Sequence, residues 1–158
     1  MYYLLNKPAG VVTTADDPQG RPTVIEMVPE DPRVFPVGRL DSDTEGLLIL
    51  TNNGELTHRL THPSFGVEKE YVALVEGKPS RSSLRLLREG VDLEDGKTAP
   101  AKIALIEQET IRLTIHEGKN RQVRRMCSTV GHPVKRLIST RIGPLSDRSL
   151  PPCLLYTS

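Results

Sequence analysis

Four apolar residues in a row, Leu47-Leu48-Ile49-Leu50, followed by Thr51 and set between Gly46 and the Asn53-Gly54 turn, constrain this chain more than any other stretch. So short an apolar run, bounded by turn signals, reads as a buried strand over 47–51. The rest of the chain must then supply partners and cover. Residues 2–6 read as a short strand, Lys7-Pro8-Ala9-Gly10 as a turn, and the β-branched stretch 11–14 as a second strand. A polar loop follows over 16–22, then a brief helix over 24–28 between prolines. Residues 69–75 alternate as a strand, and 91–93, 101–106, 110–115, 134–138 and 139–142 read likewise, with Asp95-Gly96 as a hairpin turn. Helices are expected over 55–62, stopped by Pro63, and over 80–89, opened by Pro79 and ended by Gly90. The clearest helix is 120–130: Val123, Met126, Cys127 and Val130 share one face, and Gly131 stands at its C′ position. Strands outnumber helices and no repeat is present, which places the chain in the α+β class.

At 158 residues the chain has the size of one domain with a real core. No apolar run approaches the roughly 18 residues of a membrane span. The opening Met1-Tyr2-Tyr3-Leu4-Leu5-Asn6-Lys7 lacks a signal peptide's basic flank and cleavage site. Cys127 and Cys153 show no metal-type pairing and read as free thiols of a reducing cytoplasm. A net charge of +1 hides an asymmetry. Residues 1–111 hold 12 Lys/Arg against 18 Asp/Glu, net −6, and residues 112–158 hold 9 against 2, net +7. Such a split marks either a polyanion-facing surface or a solvated face, and charge alone does not choose between them.

The densest chemistry lies in Asp41-Ser42-Asp43-Thr44-Glu45-Gly46. A calcium loop would place Asp41, Asp43, Glu45 and Gly46 correctly, but its twelfth position is Asn52, which lacks the bidentate carboxylate. An aspartyl-phosphate motif needs an uninterrupted buried strand entering the first Asp, and Gly38-Arg39 breaks that run. Paired carboxylates for glycoside hydrolysis depend on a spatial separation that spacing does not reveal. A fourth reading sets one carboxylate, Asp41, beside cations from Arg39 and the later arginine cluster, which keep it ionised and competent as a nucleophile. For an isolated Arg-x-Asp pair, a structural turn or salt bridge is the commoner role.

What decides among these is the wider pattern. The stretch from Gly38-Arg39-Leu40-Asp41 through Leu47-Leu48-Ile49-Leu50 to Asn53-Gly54-Glu55-Leu56 closely resembles the signature of the ribosomal RNA pseudouridine synthases, in the RsuA/RluB branch. Three further segments match in order: Leu5-Asn6-Lys7-Pro8-Ala9-Gly10-Val11-Val12-Thr13-Thr14, then Glu68-Lys69-Glu70-Tyr71, then His116-Glu117-Gly118-Lys119-Asn120-Arg121-Gln122-Val123-Arg124-Arg125-Met126. The likeness covers roughly residues 2–145. It implies a mostly antiparallel, bent mixed sheet with flanking helices and a central RNA-binding cleft. It also implies a reaction, the isomerisation of uridine to pseudouridine in ribosomal RNA, with large-subunit RNA favoured and neither cofactor nor metal required.

By the same resemblance the nucleophilic aspartate maps onto Asp41, the tyrosine that stacks on the extruded base onto Tyr71, and the basic partner of the aspartate onto Arg124. On the helical wheel Arg124 flanks the apolar face, whereas Arg121 and Arg125 point away from it and suit phosphate contacts or solvent equally. Lys7, Arg39, Lys69, Asn120, Arg121, Gln122 and Arg125 are the RNA-binding candidates. Many members of this branch carry an amino-terminal S4 domain before the strand that here begins at Met1, so the expectation is a catalytic domain, 1–146, without it. The tail 147–158 departs from the family pattern after Pro152. The expected partner is ribosomal RNA, met by a monomer in the cytoplasm. Two rivals stay open: a non-catalytic RNA-binding module that keeps the fold, and a magnesium-dependent phosphatase that a chelator would silence.

Overall fold

The apolar run lies in the middle of a sheet. The computed structural model describes residues 2–14, 19–146 and, for the backbone alone, 155–157. The strands are β1 (Tyr2–Lys7), β2 (Phe35–Val37), β3 (Thr44–Thr51), β4 (Lys69–Val75), β5 (Asp92–Leu93), β6 (Gly96–Lys97), β7 (Lys102–Glu107), β8 (Thr110–Ile115), β9 (Val134–Ile142) and β10 (Leu155–Thr157). The helices are α1 (Gly54–Thr61), α2 (Arg81–Glu89) and α3 (Gln122–Thr129), with short 3-10 turns at Val24–Met27 and Pro63–Phe65. Eight strands form one sheet in the order β10-β1-β3-β9-β4-β8-β7, with β2 also on β3, and β5-β6 form a separate hairpin.

Within that sheet only β3 and β9 run parallel, and their contact is short: Thr44, Glu45 and Gly46 against Leu137, Ile138 and Ser139. The sheet therefore divides into an amino-terminal half around β1 and β3 and a carboxyl-terminal half around β4, β8 and β9, joined at a narrow seam. Leu48 and Leu50 enter a cluster with Tyr3, Leu5, Val24 and Leu40. Leu47 and Ile49 enter another with Leu4 and Val37, capped by Leu60 of α1. All four are at most 3% exposed, so β3 is buried on both faces, at roughly 2 kcal/mol of burial per side chain. In the other half, Leu84 and Leu87 of α2 and Val123, Met126 and Cys127 of α3 cover Ala73, Ile111 and Leu113. Val130 packs on that cluster and Gly131 takes φ +89°, so the expected apolar face and C′ glycine of α3 are both present. Cys127 is a buried free thiol, its pKa pushed up to about 12 by burial.

Several expectations need correction. Residues 11–14 are not a strand: Val12 makes one isolated parallel bridge to Thr23, and the polar atoms of Thr13 turn to Leu40 instead. Residues 35–37 are a strand despite Pro36, because β2 lies against only the far end of β3 and needs few donors. The hairpin turn falls at Glu94-Asp95, one residue early, since Gly96 already pairs with Leu93. Residues 134–142 form one strand, and α3 begins at Gln122 because Arg121 is left-handed (φ 48°). Part of the 16–22 loop, Cys153 and most of the tail beyond Ser146 lie outside the described residues, while 155–157 pair with β1. No described helix is long and apolar enough to cross a membrane.

Candidate active site

Asp41 sits just before β3, at the seam, on a loop fixed from several sides. The Thr13 hydroxyl donates to the Leu40 carbonyl (2.6 Å) and accepts from the Leu40 N–H (3.2 Å). The Gly10 N–H donates to the Ser42 carbonyl (2.6 Å), and the Thr44 N–H to that of Asp41 (2.9 Å). Beneath the loop lies Lys7, 0% exposed, whose ammonium donates to the carbonyls of Pro8 (2.9 Å), Val11 (2.9 Å) and Ser42 (3.3 Å). Three donors meet three acceptors, so the turn after β1 and the acidic loop are tied through one side chain.

Burial pulls the Lys7 pKa from 10.5 to about 8, against the opposing charges of Asp43, Glu45 and Asp41. At neutral pH it stays protonated. Replacing it with methionine should cost about 3 kcal/mol in urea unfolding at pH 7, because the buried carbonyls lose their donor. Between about pH 8 and 10.5 the unfolded chain holds a proton that the native chain has released, so this residue makes native stability rise with pH across that window. The rise should vanish in Lys7→Met. An unchanged pH slope would show that Lys7 does not titrate there.

Around the carboxylate stand two arginines from the start of α3. The Arg121 fork bonds Asp43 at 3.1 and 3.0 Å and reaches Asp41 at 3.3 Å. Arg124, largely buried, donates to the Asp43 carbonyl (3.0 Å) and the Thr44 hydroxyl (3.3 Å), with the Asp43 carboxylate 3.6 Å away. The hydrogen bond from Arg121 holds the Asp43 carboxyl below its ordinary range, and the nearby Arg124 charge adds to it. Tyr71 lies on β4, beside Ser139 of β9 and touching the cores of both sheet halves. Burial, with the Asp41 charge second, pushes its phenol up to about 12. One cavity of about 840 Å³ is lined by Asp41, Tyr71, Arg121, Arg124, Lys69 and Arg39, among others. Such a volume is in the range of small-molecule sites, roughly 300–1,000 Å³. The Arg121 guanidinium thus contacts both carboxylates of the acidic loop.

A family profile described as RNA pseudouridylate synthase matches residues 1–129. The chain belongs to that family. It is 49% identical over 157 residues to ribosomal large subunit pseudouridine synthase B of Bacillus subtilis, covering 95% of this chain and 64% of the relative. Its Salmonella typhi namesake is 46% identical over 145 residues, covering 88% of this chain and 50% of the relative. The chain thus spans about half to two thirds of the length of these relatives. A crystal structure of a pseudouridylate synthase superposes with TM-score 0.92 at 34% identity, over 98% of this chain and 68% of that one.

Asp41, Tyr71 and Arg124 are brought to one cavity, as are Arg39, Lys69, Asn120, Arg121 and Gln122. The guanidinium next to Asp41, however, is that of Arg121, and Arg124 grips the neighbouring residue. Arg121 precedes the first turn in a left-handed conformation and stays exposed, away from the apolar face of α3. Lys7 is corrected as an RNA contact because it is buried, and Arg125 is paired with Asp95 (2.8 and 3.0 Å) and the Asn120 carbonyl (2.8 Å). Gln122 is also internal, joining Glu117 (2.8 Å) to the Lys119 N–H (3.0 Å). Lys69 is half-buried at the cavity wall, its pKa lowered by burial. Asp43, two positions after Asp41 in the acidic loop, is the bidentate anchor of Arg121.

The charge split also finds an explanation. Arg112, Arg121, Arg124, Arg125, Arg136 and Arg141, all from the basic third of the chain, pair with acidic residues from the first 111 positions. Much of the asymmetry is therefore neutralised by pairing within the chain, with the pairs of Arg121, Arg124 and Arg136 crossing the seam. The exposed cations at the cavity mouth are fewer than the sequence total suggests.

Proposed function

We propose that this chain converts a specific uridine of ribosomal RNA, with the large-subunit RNA favoured, to pseudouridine, and that Asp41 is its essential carboxylate. The observation that carries this reading is the meeting of Asp41, Tyr71 and two arginines in one cavity at the sheet seam. The names of the relatives point the same way. The reaction is a rearrangement: the bond from ribose C1′ to N1 breaks, the base turns, a bond from C1′ to C5 forms, and the C5 proton leaves as N1 gains one. No redox partner or acceptor is consumed, so positioned side chains suffice. The uridine must leave the RNA stack to enter the cavity, and the Tyr71 ring offsets part of that cost by stacking on it. Arg121 places positive charge beside Asp41, while Arg124 fixes the loop through the Asp43 carbonyl and Thr44. Arg39, Lys69 and Asn120 contact the RNA from the cavity wall. On this reading the chain acts as a monomer in the cytoplasm.

The test is tritium release from large-subunit RNA transcribed with 5-tritiated uridine, followed by mapping of the converted position. Release at one or a few uridines is expected, and no release from any ribosomal RNA would overturn the reading. Tyr71→Ala should lower turnover about a hundredfold, whereas Tyr71→Phe, which keeps the ring, should retain most of it. Equal losses in the two variants would assign the role to the hydroxyl and remove stacking from the account.

A further inference from the structure

Three rings stand together where α1 ends, and the cavity chemistry does not use them. His58 and His62 have centroids 4.8 Å apart, and Phe65 meets them edge-on at 5.7 and 6.4 Å. Phe65 is 52% exposed, the most exposed large apolar side chain among the described residues, and both histidines are exposed too. The turn that presents them is well fixed. The Ser64 N–H donates to Nδ1 of His62 (3.2 Å), the Phe65 N–H to the His62 carbonyl (3.1 Å) and the Gly66 N–H to that of Pro63 (3.1 Å). Since Nδ1 accepts a backbone hydrogen, the neutral ring carries its own hydrogen on Nε2. The cluster is also continuous with the site, for Thr61, His62 and Pro63 line the same cavity as Asp41.

We propose that His58, His62 and Phe65 form a stacking platform for an unpaired RNA base adjacent to the uridine drawn into the cavity. This rests on the RNA-modifying reading above and deepens it. Extruding one nucleotide bares a face of each neighbour, and a fixed, exposed ring beside the entrance replaces the lost stacking whatever the base. Arg39, exposed on the same rim and without an ion-pair partner among the described residues, suits the intervening phosphate. A protein partner would call for a broader apolar surface, and Phe65 is the one large exposed apolar side chain of this patch.

The chain contains no tryptophan, so Phe65→Trp adds a single fluorescent reporter at the platform. Binding is measured to an unmodified large-subunit RNA transcript, with Asp41→Asn in every chain to keep the RNA unconverted. Phe65→Trp should bind within about threefold of its parent and lose emission as the RNA saturates it, while Phe65→Ala should bind about tenfold more weakly. Unchanged emission at saturation, or undiminished affinity of Phe65→Ala, would overturn the platform. These outcomes are distinct from a failure of the functional reading, which would show as absent tritium release by the native chain.

Discussion

Asp41→Asn should remove pseudouridine formation, by about a thousandfold or more, and leave a folded chain that still binds RNA. Asparagine has nearly the same shape, so the steric fit of the cavity is kept, but it offers no anionic oxygen to act as nucleophile or base. The structural cost is small for a reason visible in the geometry. Asp41 meets Arg121 through a single 3.3 Å contact between partly exposed side chains, whereas the bidentate contact of Arg121 goes to Asp43. Exposed pairs of this kind contribute about 0.2–1 kcal/mol, and the upper end corresponds to roughly 2–4 °C in melting temperature for a domain of this size. The loop itself is held by Thr13, Gly10 and Lys7 through backbone atoms that the substitution leaves alone. Tritium release and thermal unfolding, measured together, check both halves of the statement. Turnover within tenfold of the native chain would take the nucleophile's role from Asp41, and a fall of 10 °C or so would make the residue structural first.

The readable parts of this molecule are those where local pattern and tertiary packing agree. Leu47, Leu48, Ile49 and Leu50 form an apolar run that only a central strand can bury, and β3 is that strand. Val123, Met126 and Cys127 repeat at helical spacing, and α3 turns that face to the core. The four motifs, taken in order, imply a site joining Asp41, Tyr71 and Arg124, which lie far apart along the chain yet line one cavity. Tertiary context decided the remainder. Residues 11–14 have the β-branched composition of a strand yet find no ladder, because their donors and acceptors meet Pro22, Val24 and Leu40. A lone lysine in a turn is usually solvated, so no local pattern marks Lys7 as internal. Its burial follows from three converging carbonyls, one of them 35 residues away in sequence. Arg121 required its backbone angle to be known, and no side-chain pattern reveals a left-handed arginine.

The seam predicts a second large effect, on folding. Gly46 has φ +110°, where residues with a Cβ are strained, and it pairs with Ser139 in the short parallel contact that joins the halves of the sheet. A Cβ placed there collides with the Ser139 carbonyl oxygen and lies 2.5 Å from its nitrogen. These are backbone atoms of a neighbouring strand, which cannot swing aside as a flexible side chain would. Gly46→Ala should therefore cost about 4 kcal/mol, combining backbone strain with overpacking, and lower the melting temperature by roughly 8–16 °C. Gly131→Ala is the control: φ is +89°, but nothing lies within 4 Å of its Cβ, so only the conformational cost of about 1 kcal/mol is expected. Activity should fall further than stability alone accounts for, because Ser139 is the residue that sets Tyr71 in register across β9. Displacing it moves the ring relative to Asp41 even in molecules that stay folded. If Gly46→Ala melts within about 3 °C of Gly131→Ala, the seam is not the rigid joint on which the cavity is aligned, and the alignment must come from α3 and its arginines alone.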